Sequence, residues 1–289
     1  AALDAALARN SSPVGQAERA ARVDLGGTLI EGVAIDIETD RIYLSDVTGR
    51  AIHLIEPFDR NAATVFADSE DGLYSVFGMA VDSVNRLLWA TTGVLPQTGL
   101  AEGDTGATAI MAFDLVTGDL YRRYEMDGAE RFADVIARDG YVYASDSNGN
   151  RIYRMNSLSD GFELLSDDPR FAGLQGMGLS HGALYVADYA LGLWRVDLDD
   201  GSASLVAPGA ESLIGIDGLG HTRDGRLIAV RNGMNPNQVF AIDLSDDGRS
   251  VAQTETLLRG HGDFGEPTLI SVHDGRVWLV ANSPWPYYP

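Results

Sequence analysis

Ile30-Glu31-Gly32-Val33-Ala34-Ile35-Asp36 is the first of six similar segments along this chain, and their repetition decides the fold. Each segment begins a short apolar or β-branched run, with a polar or acidic residue in nearly the same position of most copies. The lead residues are Glu31, Phe77, Asp134 with Ala133 beside it, Gln175, Asp217 and Glu266, and the segments recur at spacings of 46, 56, 42, 42 and 49 residues, counted from Ala133 in the third copy. A period of this length is typical of repeat folds.

A tight turn and a second run follow each lead segment. Asp139-Gly140 precedes Tyr141-Val142-Tyr143-Ala144, and Asp274-Gly275 precedes Arg276-Val277-Trp278. Asp-Gly between β-branched and aromatic runs is typical of β-hairpins. Further runs with period-two amphipathicity follow in most copies, which gives up to four strands per copy. We therefore predict an all-β fold, a six-bladed β-propeller with four-stranded antiparallel blades.

The two ends of the chain suggest how the ring closes. Only nine residues follow Val280, so the last copy lacks an outer strand. We expect residues 22–25, Arg-Val-Asp-Leu, to close the ring with an N-terminal strand, because pairing removes exposed sheet edges. The predicted domains are a partly helical N-terminal extension, residues 1–21, and the propeller, residues 22–289. An insertion at residues 93–108 is long enough to form a flap over one face.

Composition excludes several classes of function. The net charge of −21 disfavours nucleic acid and anionic membrane surfaces as partners. The chain has no cysteine and no lysine, which excludes thiolate chemistry, Fe–S clusters, Schiff bases and a P-loop lysine. No run of eighteen apolar residues occurs, so no membrane-spanning helix is predicted. We expect a small-molecule substrate, and the oligomeric state stays open.

The first residues bear on the location of the protein. The chain begins Ala1-Ala2-Leu3 without an initiator methionine or signal peptide, as a mature exported protein would and as a trimmed chain would. We expect a periplasmic or secreted protein, with a cytoplasmic one as the open alternative.

The lead residues predict where chemistry occurs. In a propeller the inner strands line a central channel, so residues that open these strands surround one mouth. A ring of carboxylates and an amide suits a hard cation such as Ca²⁺, which takes several oxygen ligands at once. The alternative is a water-filled channel that the carboxylates merely face.

The chain resembles the six-bladed propellers of the gluconolactonase, regucalcin, paraoxonase and strictosidine synthase superfamily. The resemblance covers about residues 22–283. The matching segments are Ile30–Asp36, Ala133–Val135, Tyr141–Asp146, Gln175–Leu179, Leu184–Tyr189 and Ile216–Leu219.

The resemblance implies a divalent cation, most simply Ca²⁺, in the channel. Glu31 and Asp217 fall on the family's glutamate and aspartate ligands. Asp134 falls on an Asn-Asp pair whose asparagine is replaced by Ala133, and Gln175 stands where an asparagine is usual. The predicted metal ligands are therefore Glu31, Asp134, Gln175 and Asp217, with two departures from the family pattern.

The same resemblance implies a metal-assisted hydrolase of the lactonase or esterase type. The ion would polarise a carbonyl, and Asp217 or His261 would activate water or deliver a proton. His261 lies in a loop predicted at the mouth. Arg231, at the end of a second strand, would either orient a substrate or pair with Asp217 or Glu266.

Aromatic side chains and two other functions complete the sequence-based expectations. Tyr74, Phe77 and Phe132, together with the 93–108 flap, are expected to shape the pocket. One alternative is a non-catalytic propeller that binds a ligand or protein partner at its mouth. The other is a metal-free enzyme of the strictosidine synthase-like kind, with Glu266 as its acid and base.

Overall fold

The computed structural model describes residues 7–8, 10–100, 102–156 and 159–288, and β-strands dominate these residues. Within them the chain forms five four-stranded antiparallel sheets and a sixth sheet of two strands, each a simple meander. In chain order the strands are β1 (Ile30–Asp36), β2 (Arg41–Asp46), β3 (Ala51–Ile55), β4 (Thr64–Ala67), β5 (Ser75–Asp82), β6 (Leu87–Gly93), β7 (Ala109–Asp114), β8 (Leu120–Tyr124), β9 (Phe132–Arg138), β10 (Tyr141–Asp146), β11 (Arg151–Asn156), β12 (Glu163–Ser166), β13 (Leu174–Ser180), β14 (Ala183–Asp188), β15 (Gly192–Asp197), β16 (Ala203–Leu205), β17 (Ile216–His221), β18 (Leu227–Arg231), β19 (Gln238–Leu244), β20 (Val251–Arg259), β21 (Ile270–His273) and β22 (Arg276–Leu279).

The sheets are the blades of a β-propeller. The first strand of each sheet packs against the first strand of the next, through β1, β5, β9, β13, β17 and β21. β21 also packs against β1, and the Thr268 hydroxyl donates a hydrogen bond to the Glu31 carbonyl at 2.6 Å. The prediction of a propeller with four-stranded antiparallel blades is confirmed for five blades.

The predicted blade count and the predicted closing strand are not found. The structure has five four-stranded blades, and β21–β22 form only a hairpin. Residues 22–25 are not a strand, and the Arg22 amide donates to the carbonyl of Arg60 in the first blade at 3.1 Å. Beyond β22 the chain makes one isolated bridge, between Ser283 and Glu266, and a short 3₁₀ helix at Trp285–Tyr287. The N-terminal segment thus contacts the last hairpin with the side chains of Ala21 and Val23 rather than with a strand.

The N-terminal helix prediction is only partly visible. Residues 7, 8, 10 and 11 are helical, whereas residues 1–6 and 9 of the predicted, partly helical extension lie outside the described residues. In the described residues, no helix combines the length and apolarity needed to cross a lipid bilayer.

Hydrophobic clusters between neighbouring sheets form the core. Tyr43 and Phe113 pack in the cluster between the first and second sheets, and Trp194 packs with Phe171 between the third and fourth. A further cluster joins the two-stranded sheet to the first one through Trp278, Val280 and Val33. Because each sheet buries both faces against its neighbours, the apolar period-two pattern of the strands is satisfied on both sides.

The hairpin turns have the chemistry that the sequence predicts. Asp139 and Gly140 both have positive φ, at 52° and 78°, and Asp274 and Gly275 repeat this at 47° and 73°. Two consecutive residues with positive φ are what a type I′ hairpin turn requires, and Asp-Gly tolerates them best.

A β-bulge marks the beginning of most inner strands. In β1, residues 31 and 32 together lie opposite Ser45, and the same irregularity occurs in β5, β13 and β17 at residues 77–78, 175–176 and 217–218. The second bulge residue is glycine because the next inner strand is very close. A Cβ on Gly218 would lie 2.6 Å from the Thr268 carbonyl oxygen, and one on Gly176 would lie 2.7 Å from the Asp217 carbonyl oxygen.

Gly218→Ala should therefore destabilise the fold by about 2 kcal/mol or more, because backbone and not a flexible side chain must move. Gly161→Ala is the matched control, since a Cβ there meets nothing within 4 Å. Urea denaturation of both variants measures the difference. Equal midpoints for the two variants would contradict the close approach of β17 to the last blade.

Candidate active site

Five of the six lead residues line one cavity of about 320 Å³ at the mouth of the propeller, and in the third copy Ala133 lines it in place of Asp134. The expectation that the lead residues converge on one mouth therefore holds for five copies. The lining combines three carboxylates, one arginine and several aromatic rings. The residues of the repeat in it are Glu31, Phe77, Ala133, Gln175, Asp217 and Glu266.

Glu31 is a largely buried carboxylate that contacts the C-terminal segment. Its Oε2 accepts a hydrogen bond from the indole N–H of Trp285. Burial, followed by repulsion from Asp217 and Glu266, raises the pKa of Glu31 well above its usual range. The Trp285 hydrogen bond and the nearby Arg131 oppose this rise. Glu31 is therefore a carboxyl that loses its proton at a higher pH than an exposed glutamate does.

Asp217 is held by a short hydrogen-bonded chain. Asn232 Nδ2 donates to Asp217 Oδ2 at 2.7 Å and to the Pro267 carbonyl at 3.0 Å. The Tyr189 hydroxyl donates to Asn232 Oδ1 at 3.1 Å and so fixes which way the amide faces. Burial raises the pKa of Asp217 to about 6, with Glu266 adding to the rise and Asn232 opposing it.

Tyr189 and Glu266 complete the acidic side of the mouth. Burial, with Asp217 and Glu266 nearby, raises the pKa of Tyr189 to about 12, so its hydroxyl remains a donor. Burial also raises the pKa of Glu266.

Arg131 brings a positive charge into this acidic pocket. The Asp146 carboxylate accepts from the amides of Glu130 and Arg131, both at 2.9 Å, and so fixes the segment before β9. Arg131 Nε donates to Ser147 Oγ at 3.0 Å. Burial lowers the pKa of Arg131, while Asp146 and Glu31 oppose this. The guanidinium of Arg131 is thus half-buried and is attracted to the carboxylates of Asp146 and Glu31.

The structure places Asp134 outside the lining of this pocket. Ala133, and not Asp134 as predicted, occupies the lead position of β9, and Asp134 takes the position that glycine has in the other bulges. Its side chain is therefore directed at the neighbouring inner strands: Oδ2 accepts from the Met177 amide at 3.3 Å, and a Cβ on Gly78 would lie 2.3 Å from Oδ1. Burial raises the pKa of Asp134 to about 7.

Arg231 and His261 also lie elsewhere than predicted. Arg231 Nη1 donates to the Ser212 carbonyl at 2.7 Å, and Nη2 lies 3.3 Å from Glu211 Oε2. Since successive strand residues face opposite ways, Asn232 and not Arg231 reaches Asp217. His261 accepts from the Asp263 amide in its own loop and does not line the pocket.

Some of the aromatic predictions hold. Phe77 and Phe132 line the pocket, and Leu95 of the 93–108 insertion joins them. The hydroxyl of Tyr74 instead donates to Asp104 at 3.1 Å, and the residue is not part of the lining.

Sequence reasoning missed Arg131 and Trp285 as site residues. Arg131 lies two residues before Ala133. The only sequence feature that could have indicated it is Asp146 at the end of β10, whose carboxylate accepts a hydrogen bond from the Arg131 amide. Trp285 follows the last repeat and carries no periodic signal. It reaches the pocket because the C-terminal turn packs on Leu29, Val47 and Phe77.

Three of the predicted calcium ligands, Glu31, Gln175 and Asp217, line the same pocket, whereas Asp134 does not. Among the described residues no three acidic or histidine side chains are grouped so that they could hold a metal ion. Asp134 faces backbone, and one oxygen each of Glu31 and Asp217 already accepts an N–H donor. Ca²⁺ needs six to eight oxygen ligands, so this donor set does not fit it as predicted. Calcium binding stays a prediction.

Comparisons with known proteins support the fold. No family model and no curated protein sequence matches the chain. A gluconolactonase from Xanthomonas campestris is 18% identical, with a TM-score of 0.64 over 94% of this chain and 95% of its own. An aldose sugar dehydrogenase from Streptomyces coelicolor, in its PQQ-bound form, is 13% identical, with a TM-score of 0.63 over 94% and 93%. A chain of a nidogen/laminin complex is 17% identical, with a TM-score of 0.59 over 79% and 80%. At these identities the likeness shows the β-propeller fold alone, and the neighbours' activities differ.

The buried Asp134 gives a pH-dependent stability. Its pKa is about 7 in the folded state and about 3.9 in the unfolded state, so the unfolded chain loses this proton first as pH rises. Wild-type stability should consequently fall between pH 4 and pH 8 relative to Asp134→Asn, by roughly 2–4 kcal/mol. Urea denaturation of both proteins at several pH values measures this.

Asp247→Asn is the control, because hydrogen bonding to Ser245 in an exposed turn lowers the pKa of Asp247 instead. A stability difference between Asp134→Asn and wild type that stays constant across this range would contradict the buried position of the Asp134 carboxyl.

Proposed function

We propose that the protein is a hydrolase of carboxylic esters, most simply of lactones. The observation that carries this proposal is the pairing of Asp217, with a pKa of about 6, and Glu31, with a pKa well above its usual range, in one pocket with Arg131. Two carboxyls that stay in different protonation states can act as base and acid in one reaction.

Asp217 would be the general base. Above pH 6 the Asp217 carboxyl is ionised. Asn232 donates a hydrogen bond to one carboxylate oxygen, and the other would contact a water molecule in the pocket. Asp217 would take a proton from the water as the water oxygen attacks the ester carbonyl carbon. The chain Tyr189–Asn232–Asp217 keeps the carboxylate in place.

Arg131 and Glu31 would act on the two oxygens of the ester. The carbonyl oxygen becomes an oxyanion in the tetrahedral intermediate, and the half-buried guanidinium of Arg131 stabilises that charge. When the carbon–oxygen bond breaks, the leaving alkoxide takes the proton of Glu31. A lactone would give a hydroxy acid, whose carboxylate is repelled by the acidic mouth and therefore leaves.

No step of this reaction is routed through a metal ion, because the predicted ligand set does not fit calcium. The proposed reaction is instead a form of the metal-free alternative predicted from the sequence. Asp217 as base and Glu31 as acid take the two roles that the sequence assigned to Glu266. The fold is compatible with this chemistry, since one structural neighbour is a gluconolactonase. The pocket's small volume, about 320 Å³, suits a small molecule rather than a protein segment.

Asp217→Asn should lower kcat/KM for a reactive aryl ester or a lactone by about 10²- to 10⁴-fold, because the base is lost while Asn232 can still donate to the new amide oxygen. For the wild type, kcat/KM should rise as pH increases through about 6, when Asp217 loses its proton. At higher pH kcat/KM should fall again, because Glu31 loses the proton that it would give to the leaving alkoxide.

Asp247→Asn, in an exposed turn, is the control and should retain wild-type kinetics. Absence of turnover across a panel of lactones and aryl acetates would contradict the hydrolase proposal. Saturable binding of panel members without turnover would instead support a non-catalytic binding propeller.

A further inference from the structure

We propose that Ser147 is a positioning residue of the proposed hydrolase, whose hydroxyl holds the Arg131 guanidinium so that its two terminal nitrogens are available to the oxyanion. The inference rests on the proposed ester hydrolysis and adds a residue that acts through Arg131 rather than on the substrate. Ser147 lines the mouth together with Arg131, and it is only 7% exposed.

The backbone of Arg131 is fixed independently of its side chain. The Asp146 carboxylate accepts from the amides of Glu130 and Arg131, both at 2.9 Å. The Ser147 amide donates to the Arg131 carbonyl at 2.8 Å. These three hydrogen bonds hold the segment before β9 in place, but none of them determines the direction of the guanidinium.

The hydroxyl of Ser147 determines that direction. It accepts from Arg131 Nε at 3.0 Å and donates to the Arg131 carbonyl at 3.2 Å. The hydroxyl hydrogen is thus directed at the carbonyl, which leaves a lone pair of Oγ for the Nε–H group. Because the guanidinium is planar, fixing its Nε–H bond also fixes the plane that contains Nη1 and Nη2.

The terminal nitrogens of Arg131 then face the pocket without a protein partner. Among the described residues no group accepts a hydrogen bond from Nη1 or Nη2, which carry four of the five N–H donors. The Asp146 and Glu31 carboxylates attract the guanidinium. Without the Ser147 hydroxyl, this attraction would turn the guanidinium towards a carboxylate and away from the carbonyl oxygen of a substrate.

The first blade shows that the fold does not require this side-chain contact. There the Val47 amide donates to the Leu29 carbonyl at 2.8 Å, as the Ser147 amide does to the Arg131 carbonyl in the third blade. The first blade thus makes the same backbone contact with two apolar, fully buried side chains. The arginine and the serine of the third blade are therefore assigned to the site rather than to the stability of the propeller.

The test is kcat and KM for p-nitrophenyl acetate. Ser147→Ala should lower kcat about tenfold and leave KM nearly unchanged, because the oxyanion exists only after the attack on the carbonyl. Arg131→Leu should lower kcat by about 10²- to 10³-fold, as loss of an oxyanion donor does. Leucine suits this position, since Leu29 occupies the equivalent position in the first blade.

Ser166→Ala is the matched control. The Ser166 hydroxyl is similarly buried, at 6% exposure, and donates to the Gly201 carbonyl at 2.7 Å, but it does not line the mouth. Its loss should leave kcat unchanged. In the Arg131→Leu background, Ser147→Ala should cause no further loss, because a residue that acts through Arg131 has no effect once Arg131 is absent.

A tenfold loss from Ser147→Ala in both backgrounds would overturn this inference and leave the proposed function standing. Equal kcat values for Ser147→Ala and Ser166→Ala would do the same. Turnover of no ester and no lactone by the wild type would overturn the proposed function and this inference together.

Discussion

The close approach of neighbouring inner strands is the constraint on which the rest of this structure depends. At Gly32, Gly176 and Gly218 the backbone of the next strand occupies the space that a Cβ would need. The glycine permits a β-bulge, and the bulge turns the residue before it towards the shared mouth. Two consecutive residues of each bulge therefore couple packing to the site. The glycine allows neighbouring blades to approach, and the residue before it supplies the side chain that lines the pocket.

The electrostatics of the mouth follow from that convergence. Carboxylates from three separate blades lie in one partly buried pocket, where ionising all of them is unfavourable. The chain relieves the repulsion with N–H donors: Asn232 bonds to Asp217, Trp285 bonds to Glu31, and Arg131 supplies a positive charge. These donors come from different parts of the chain. Asn232 follows β18, Trp285 belongs to the C-terminal turn and Arg131 precedes β9. The carboxyls therefore do not titrate alike: the pKa of Asp217 is raised to about 6 and that of Glu31 well above its usual range, and different pKa values are the condition for acid–base chemistry.

Much of the fold could be predicted from sequence because the signals are local and repeated. The lead residues and the Asp-Gly turns recur at a nearly constant period, and each turn imposes its own geometry. The predicted closing strand at residues 22–25 failed because pairing of distant termini leaves no local pattern. Asp134 was misassigned for a related reason: a one-residue difference in the bulge of β9 moves it from the lead position to the glycine position. Trp285 and Arg131 were not predictable from the repeat, since one lies outside it and the other is positioned by Asp146, a residue from the following strand.

The bulged lead residues bring Asp217 and Glu31 into one pocket, where the charge of one carboxyl affects the titration of the other. Carbon-13 NMR of the side-chain carboxyls, assigned with Asp217→Asn and Glu31→Gln, measures this most directly. The structure predicts that Asp217 titrates at about 6, that Glu31 titrates well above its usual range, and that each substitution shifts the titration of the other residue. Titration of both carboxyls near the values of exposed side chains, about 4, with no effect of either substitution on the other residue, would contradict it.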